Sequence, residues 1–309
     1  MALPLAADAG PIETRWRPPW PLDPVLTLSP LRHGTGDPTV RFEAGAIWRA
    51  TRTPLGPATT RLEHIRGDGY RILAWGPGRE WALDAIPRLL GADDDPSAFE
   101  PPPGLLRELR RRNPGLRFGR TDAVFESILP AIAEQKVTGF EARRAYRGLI
   151  RVYGEPAPGP VRLRLAPAPE RLAALPYYAF HPFGLEQRRA EILRRTAARA
   201  PWLEAAGRLG PDAALTRLRS VPGIGPWTAA ETARAAFGDP DAISVGDYHL
   251  PNVVCWALAG EPRGDDTRML ELLEPFRGQR ARAARLIETS GIGAPRYGPR
   301  MTPGNIGRL

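Results

Sequence analysis

Apolar and polar residues alternate along two stretches near the start of the chain, residues 40–52 and 60–75, and a period of two predicts strands. Arg61–Arg66 and Tyr70–Trp75 flank Gly67-Asp68-Gly69, residues that tolerate positive φ, so a hairpin turn is expected there. The spacing then changes: Trp81, Leu83, Ala85, Ile86, Leu89 and Leu90 fit one helix over residues 81–90. Asp93-Asp94-Asp95 and then Pro101-Pro102-Pro103 close the stretch. The pattern predicts a small sheet-plus-helix domain over residues 1–104.

From residue 105 the pattern is helical almost to the end. Helices are expected at Leu105–Arg112, Thr121–Gln135, Gly139–Tyr153, Leu185–Ala200, Asp212–Arg219, Trp227–Phe237, Pro251–Leu258 and Met269–Leu286. Breaks fall at Gly154–Pro160 and Pro167–Pro169, and Pro130 is expected to kink or split its helix. The fold class is therefore α+β: an N-terminal antiparallel-sheet domain, then a mostly helical domain over residues 105–290. A basic Gly/Pro-rich tail, residues 291–309, is left without structure, and no solenoid repeat is visible.

The stretch Leu215–Ala259 carries the chemistry. A helix pattern ends near Ser220, the loop Val221-Pro222-Gly223-Ile224-Gly225 follows, and Pro226 suits the first position of a new helix. Gly223 and Gly225 are expected to permit a hairpin too sharp for side chains. Its backbone amides, with the following helix N-terminus, make a site for one phosphate oxygen that reads no base sequence. An ordinary helix–turn–helix connection is the competing reading. Some twenty residues on, Val245-Gly246-Asp247-Tyr248-His249 presents an aspartate before the next helix. Asp247 is either a catalytic carboxylate or a helix N-cap. Pro251 as the first helical residue would leave Asp247 upstream in the loop and favours catalysis.

Composition narrows the classes. The single cysteine, Cys255, excludes an internal disulfide, an iron–sulfur cluster and a Cys-rich zinc site. The four histidines (His33, His64, His181, His249) lack metal-ligand spacing, so no side-chain metal site and no cofactor are expected. No apolar run reaches the roughly 18 residues of a membrane span, and the N-terminus lacks the order of a secretory signal. A cytoplasmic location is expected. The net charge of +9 suits a polyanionic partner. Lys136 is, however, the chain's one lysine, so an arginine-rich composition explains part of that charge.

The pairing of hairpin and aspartate resembles the helix-hairpin-helix (HhH-GPD) DNA glycosylase superfamily. Further stretches resemble its 3-methyladenine DNA glycosylase II group: Trp16-Arg17-Pro18-Pro19-Trp20, Ile128–Val137 with Gln135, and Gly184–Ala190. The likeness spans most of residues 14–290 and is strongest at the hairpin. It implies a base-excision-repair enzyme that flips alkylated purines, of the 3-methyladenine or 7-methylguanine type, out of duplex DNA and hydrolyses the glycosidic bond. It implies Asp247 as the catalytic carboxylate and Trp227, Glu231 and Gln135 as base-pocket residues. Val221, Gly223, Gly225 and Thr228 would meet the DNA backbone, and Lys136 stands where the group wedges into the gap left by the flipped base. Trp227 replaces the lysine of strand-cutting relatives, which implies a monofunctional enzyme; packing in the helical core is its other reading. Glu231 departs from the aromatic residue common in the group. The hairpin carbonyls of Val221 and Gly223 could bind a monovalent cation. The implied partner is damaged double-stranded DNA, met by a monomer associated with the nucleoid. A non-catalytic hairpin DNA-binding protein and a glycosylase for oxidised or mismatched bases are the alternatives; direct reversal through Cys255, inside an apolar helix, is remote. Arg110–Arg112 reads as a solvated helix face. Arg143-Arg144 and Arg188-Arg189 are phosphate candidates that the sequence does not orient.

Overall fold

The computed structural model describes residues 10–67 and 69–295. Asp68, at the tip of the expected hairpin, and residues 296–309 of the tail lie outside the described residues. Strands β1 (Ile12–Trp16), β2 (Val40–Glu43), β3 (Ala46–Thr53), β4 (Gly56–Ile65) and β5 (Gly69–Trp75) form one antiparallel sheet in the order β1-β5-β4-β3-β2. β4 and β5 pair from Thr59 opposite Trp75 to Ile65 opposite Gly69. Gly67 and Gly69 take φ of +81° and +83° beside that turn. β1 was not among the expected strands: five residues at a sheet edge give too short an alternation to stand out.

Both faces of the sheet are covered. Successive strand residues point to opposite faces, so Ile47, Leu62 and Ile72 pack on Ile86, Leu89 and Leu90, while Trp48, Leu73 and Trp75 pack on Leu163 and Leu165. The second layer comes from the segment after Gly154, which the sequence marks only as a break.

The helices of eight residues or more are α1 (Leu105–Arg112), α2 (Val124–Ala133), α3 (Gly139–Tyr153), α4 (Gln187–Ala198), α5 (Pro211–Arg219), α6 (Pro226–Phe237), α7 (Leu250–Ala259), α8 (Asp266–Leu273) and α9 (Arg280–Thr289). The single helix expected over residues 269–286 is two, α8 and α9. Glu274-Pro275-Phe276 form a 3-10 turn between them, and Gly278 takes φ +88°. By contrast α2 runs unbroken through Pro130. It is buried on all sides (Phe125, Ile128, Leu129 and Ile132 among others), and that packing outweighs the one backbone hydrogen bond that proline removes.

The helices form two cores. α2, α3, α4 and α6 share one with Val221 and Ile224; α1, α7, α8 and α9 share the other with Phe99 and Ile243. α2 has no local N-cap side chain. Instead the Glu204 carboxylate accepts from Val124 N and Phe125 N, both at 2.8 Å. Glu126, in the first turn of α2, accepts from Arg49 Nη2 (3.2 Å), Thr51 Oγ1 (2.7 Å) and Arg52 N (2.7 Å), clamping the helix to β3. Where the sheet and the two helical cores meet, a cavity of about 420 Å³ remains.

Candidate active site at the meeting of sheet and helices

The hairpin between α5 and α6 is anchored from within. Val221 and Ile224 are buried in the first helical core, and Ile224 N donates to Val221 O at 3.0 Å. Gly223 takes φ +97°, and a Cβ there would stand 2.4 Å from Ile192 Cγ1, so glycine is required twice over. Gly225 differs from the expectation: its φ of −87° and ψ of −179° are open to any residue, and nothing lies within 4 Å of a Cβ. Pro226 is the first residue of α6, as its ring favours. The amides of Gly223 and Gly225 find no acceptor among the described residues.

Gln135 lies outside the cavity lining. Its Nε2 donates to Gly223 O (3.1 Å) and to Thr228 Oγ1 (2.9 Å), tying the end of α2 to the hairpin. Thr228 is buried, so its hydroxyl serves this tether. The carbonyls of Val221 and Gly223 each accept one hydrogen bond already, from Ile224 and Gln135. Lys136 follows Gln135, is exposed, and holds φ +54°, a left-handed conformation that non-glycine residues adopt at a cost of about 1–3 kcal/mol. Thr138 and Glu141 then form a capping box that starts α3. The lysine thus sits on a turn pinned at both ends.

Asp247 caps the next helix with one oxygen and turns the other toward Trp227. Oδ1 accepts from His249 N (2.7 Å) and Leu250 N (2.8 Å) at the start of α7; Oδ2 accepts from Trp227 Nε1 at 2.9 Å. Helix α7 begins at Leu250, one residue before Pro251. The loop is held from below as well, because the Asp266 carboxylate takes Gly246 N on both oxygens at 3.0 Å. A carboxylate has about four acceptor positions. Three are filled here, leaving one on Oδ2.

Trp227, Glu231 and Asp247 line the cavity together with Arg234, Arg285 and Glu288. Glu231 is partly buried and pairs with Arg234; its Oε1 also accepts from Ser244 Oγ at 2.5 Å. Burial works against the Arg234 charge, but the acids around it, Glu231 first and then Glu288 and Asp247, together hold its pKa above the ordinary value. On α9, Arg285 Nη2 donates to Ser29 Oγ (2.9 Å) and Nη1 lies 3.8 Å from Glu288 Oε2. Desolvation raises the Glu288 pKa, opposed by Arg234 and Arg285 and reinforced by Glu231 and Asp247. Glu288 is nonetheless open over 38% of its side chain, so solvent screens much of this effect. Arg234 lies one turn beyond Glu231 and was findable from that spacing. Ser244, Arg285 and Glu288 left no signal in the sequence.

Two further candidates have structural duties. Arg189 is buried and bonds Glu186, Ala133 O and Gly184 O, so it is no phosphate contact. Cys255 is buried, and desolvation raises its thiol pKa, which opposes nucleophilic use. No helix among the described residues is long and apolar enough to cross a membrane.

No protein-family model matches the chain. It is 29% identical over 222 residues (67% of this chain, 43% of the relative) to a Mycobacterium tuberculosis protein named probable bifunctional transcriptional activator/DNA repair enzyme AlkA. It is 31% identical over 149 residues (47% and 52%) to DNA-3-methyladenine glycosylase 2 of Escherichia coli. The chain thus spans about half the length of the curated relatives it matches. Its fold matches a 3-methyladenine DNA glycosylase from Archaeoglobus fulgidus with a TM-score of 0.73 at 18% identity, covering 90% of this chain and 97% of that one. The chain shares the α+β fold of that structure. In sequence the chain is thus similar to proteins named AlkA and DNA-3-methyladenine glycosylase 2.

Proposed function

We propose that this chain is a monofunctional DNA glycosylase of base excision repair that hydrolyses alkylated purines from duplex DNA. The observation that carries the reading is the Asp247 carboxylate, fixed by three donors at a cavity whose wall includes Trp227, one helix away from a hairpin with open amides. As a purine leaves, positive charge develops on the sugar, and a fixed carboxylate with one open acceptor position stabilises it or orients the attacking water. Trp227 holds Asp247 through its indole N–H, and an indole forms no Schiff base, so the phosphodiester backbone is left intact. Gly223, Gly225 and the first turn of α6 grip one phosphate. Lys136 enters the vacated stack, its stem filling space and its ammonium facing phosphate.

Base release from a duplex carrying one 7-methylguanine or 3-methyladenine tests this in wild type and Asp247→Asn. Asparagine keeps an oxygen for His249 N and Leu250 N while removing the charge. Release should fall roughly 10³-fold, with strand nicks in wild type only after alkali. Equal release by the two proteins would remove Asp247 from catalysis. Tight duplex binding without release by wild type would leave a binding protein in which Asp247 is only a helix cap.

A further inference from the structure

A second cavity, of about 410 Å³, opens between the loop of residues 32–38, edge strand β2 and the C-terminal end of α3. Five arginines line it: Arg32, Arg41, Arg151, Arg162 and Arg164. The one carboxylate in its wall, Asp37, is buried and committed to His33 N, Thr39 N and Thr39 Oγ1. Arg164 is also committed, donating to Ile150 O (3.1 Å) and Gly154 O (2.7 Å). Arg41 leans on Glu43 at 3.6 Å, and Arg32 lies over the Phe42 ring with its centre 4.9 Å from the centroid. Arg151 and Arg162 are exposed and find no hydrogen-bond or ion-pair partner among the described residues.

This cavity ends a track. Arg143, Arg147 and Arg151 stand at i, i+4 and i+8 on one face of α3, against the 32–38 loop: Arg143 beside Gly34, Arg147 bonded to Thr35 O at 2.8 Å, Arg151 in the cavity wall. The track begins at the capping box just after Lys136. At 1.5 Å per residue the helix is about 22 Å long, the axial length of roughly six base pairs at 3.4 Å each. We propose that the Arg151–Arg162 cavity is a second phosphate site for the duplex proposed above, gripping the sugar–phosphate backbone several base pairs from the lesion. Unpaired guanidiniums with no free carboxylate among them suit phosphate, and phosphate contacts release counterions on binding.

The test is duplex binding over a salt series, by fluorescence anisotropy, with undamaged DNA so that no chemistry intervenes. Arg151→Gln/Arg162→Gln is compared with wild type and with Arg111→Gln/Arg112→Gln, which removes equal charge from arginines paired to Glu108. The slope of log affinity against log salt should become shallower by about two in the first variant and by less in the control. Two shortened duplexes, each with one flank cut to about four base pairs around a central abasic analogue, complete the design. The variant's deficit should vanish with one of them. Equal slopes in both double variants, or a deficit that ignores flank length, would overturn the site while leaving the glycosylase reading intact. Failure of wild type to bind any duplex would overturn both. Circular dichroism of the variants excludes misfolding as the source of a deficit.

Discussion

At the hairpin, residues 221–225, the groups offered outward are backbone amides, and their geometry is set by a short run of chain: Val221 and Ile224 point inward, Gly223 turns the backbone, Pro226 starts the helix. In the cavity beside it the groups offered are side chains, brought together from the sheet, α2, α6, α9 and the Asp247 loop. The hairpin needs one backbone conformation and tolerates much else. The cavity needs its charges to match, and they nearly do: Glu231 with Arg234, Glu288 with Arg285, Glu126 with Arg49. On the proposed reading, selectivity for a base would rest on few uncompensated groups, chiefly Asp247, rather than on a generally acidic wall. Backbone sites are robust and unselective; side-chain sites are selective and depend on distant parts of the fold.

That contrast is open to attack at four points. Gly223→Ala should be the most damaging, because it adds a Cβ at positive φ against Ile192; a loss of about 2–4 kcal/mol in denaturant unfolding is expected. A loss below about 1 kcal/mol would mean the hairpin yields where the geometry says it cannot. Next, Trp227→Phe keeps an aromatic wall but removes the donor to Asp247 Oδ2. Base release should fall about tenfold, the value of one charge-assisted hydrogen bond, with the melting temperature little changed.

Glu288→Gln probes the side-chain site through pH. The folded-state pKa of Glu288 is raised by desolvation, so the stability it contributes is full below the ordinary glutamate value and is lost as pH rises through the raised one. The melting temperature of wild type minus that of the variant should therefore be larger at pH 4 than at pH 8, by about one to two degrees given the exposure of the group. A difference growing toward pH 8 would reverse the sign assigned to the site. Gly225→Ala should do least, within about 0.5 kcal/mol of wild-type stability.

The same contrast explains what the sequence made legible. The hairpin, Asp247 and most helix limits are readable because each is set by neighbours in the chain. The sequence does not distinguish Gly223 from Gly225, yet only Gly223 has a positive φ and a neighbour in the way. Pro130 and Pro275 show the limit of local rules: one is carried through a helix buried on all sides, the other ends one beside a left-handed Gly278. Gln135 as hairpin tether, Glu204 as a cap for α2 and Arg285 in the cavity wall depend on contacts across 88, 79–80 and 256 residues, and no periodicity records such pairs.

The double duty of Asp247 bears on how such chains decay. One oxygen holds the start of α7 and the other answers to Trp227, so a copy of this gene freed from selection for chemistry would still be held to a small oxygen-bearing side chain there by folding alone. Inactive descendants should drift to asparagine or serine before alanine, and some would keep the aspartate. An aspartate at this position in a newly read sequence thus certifies the helix first and the enzyme second.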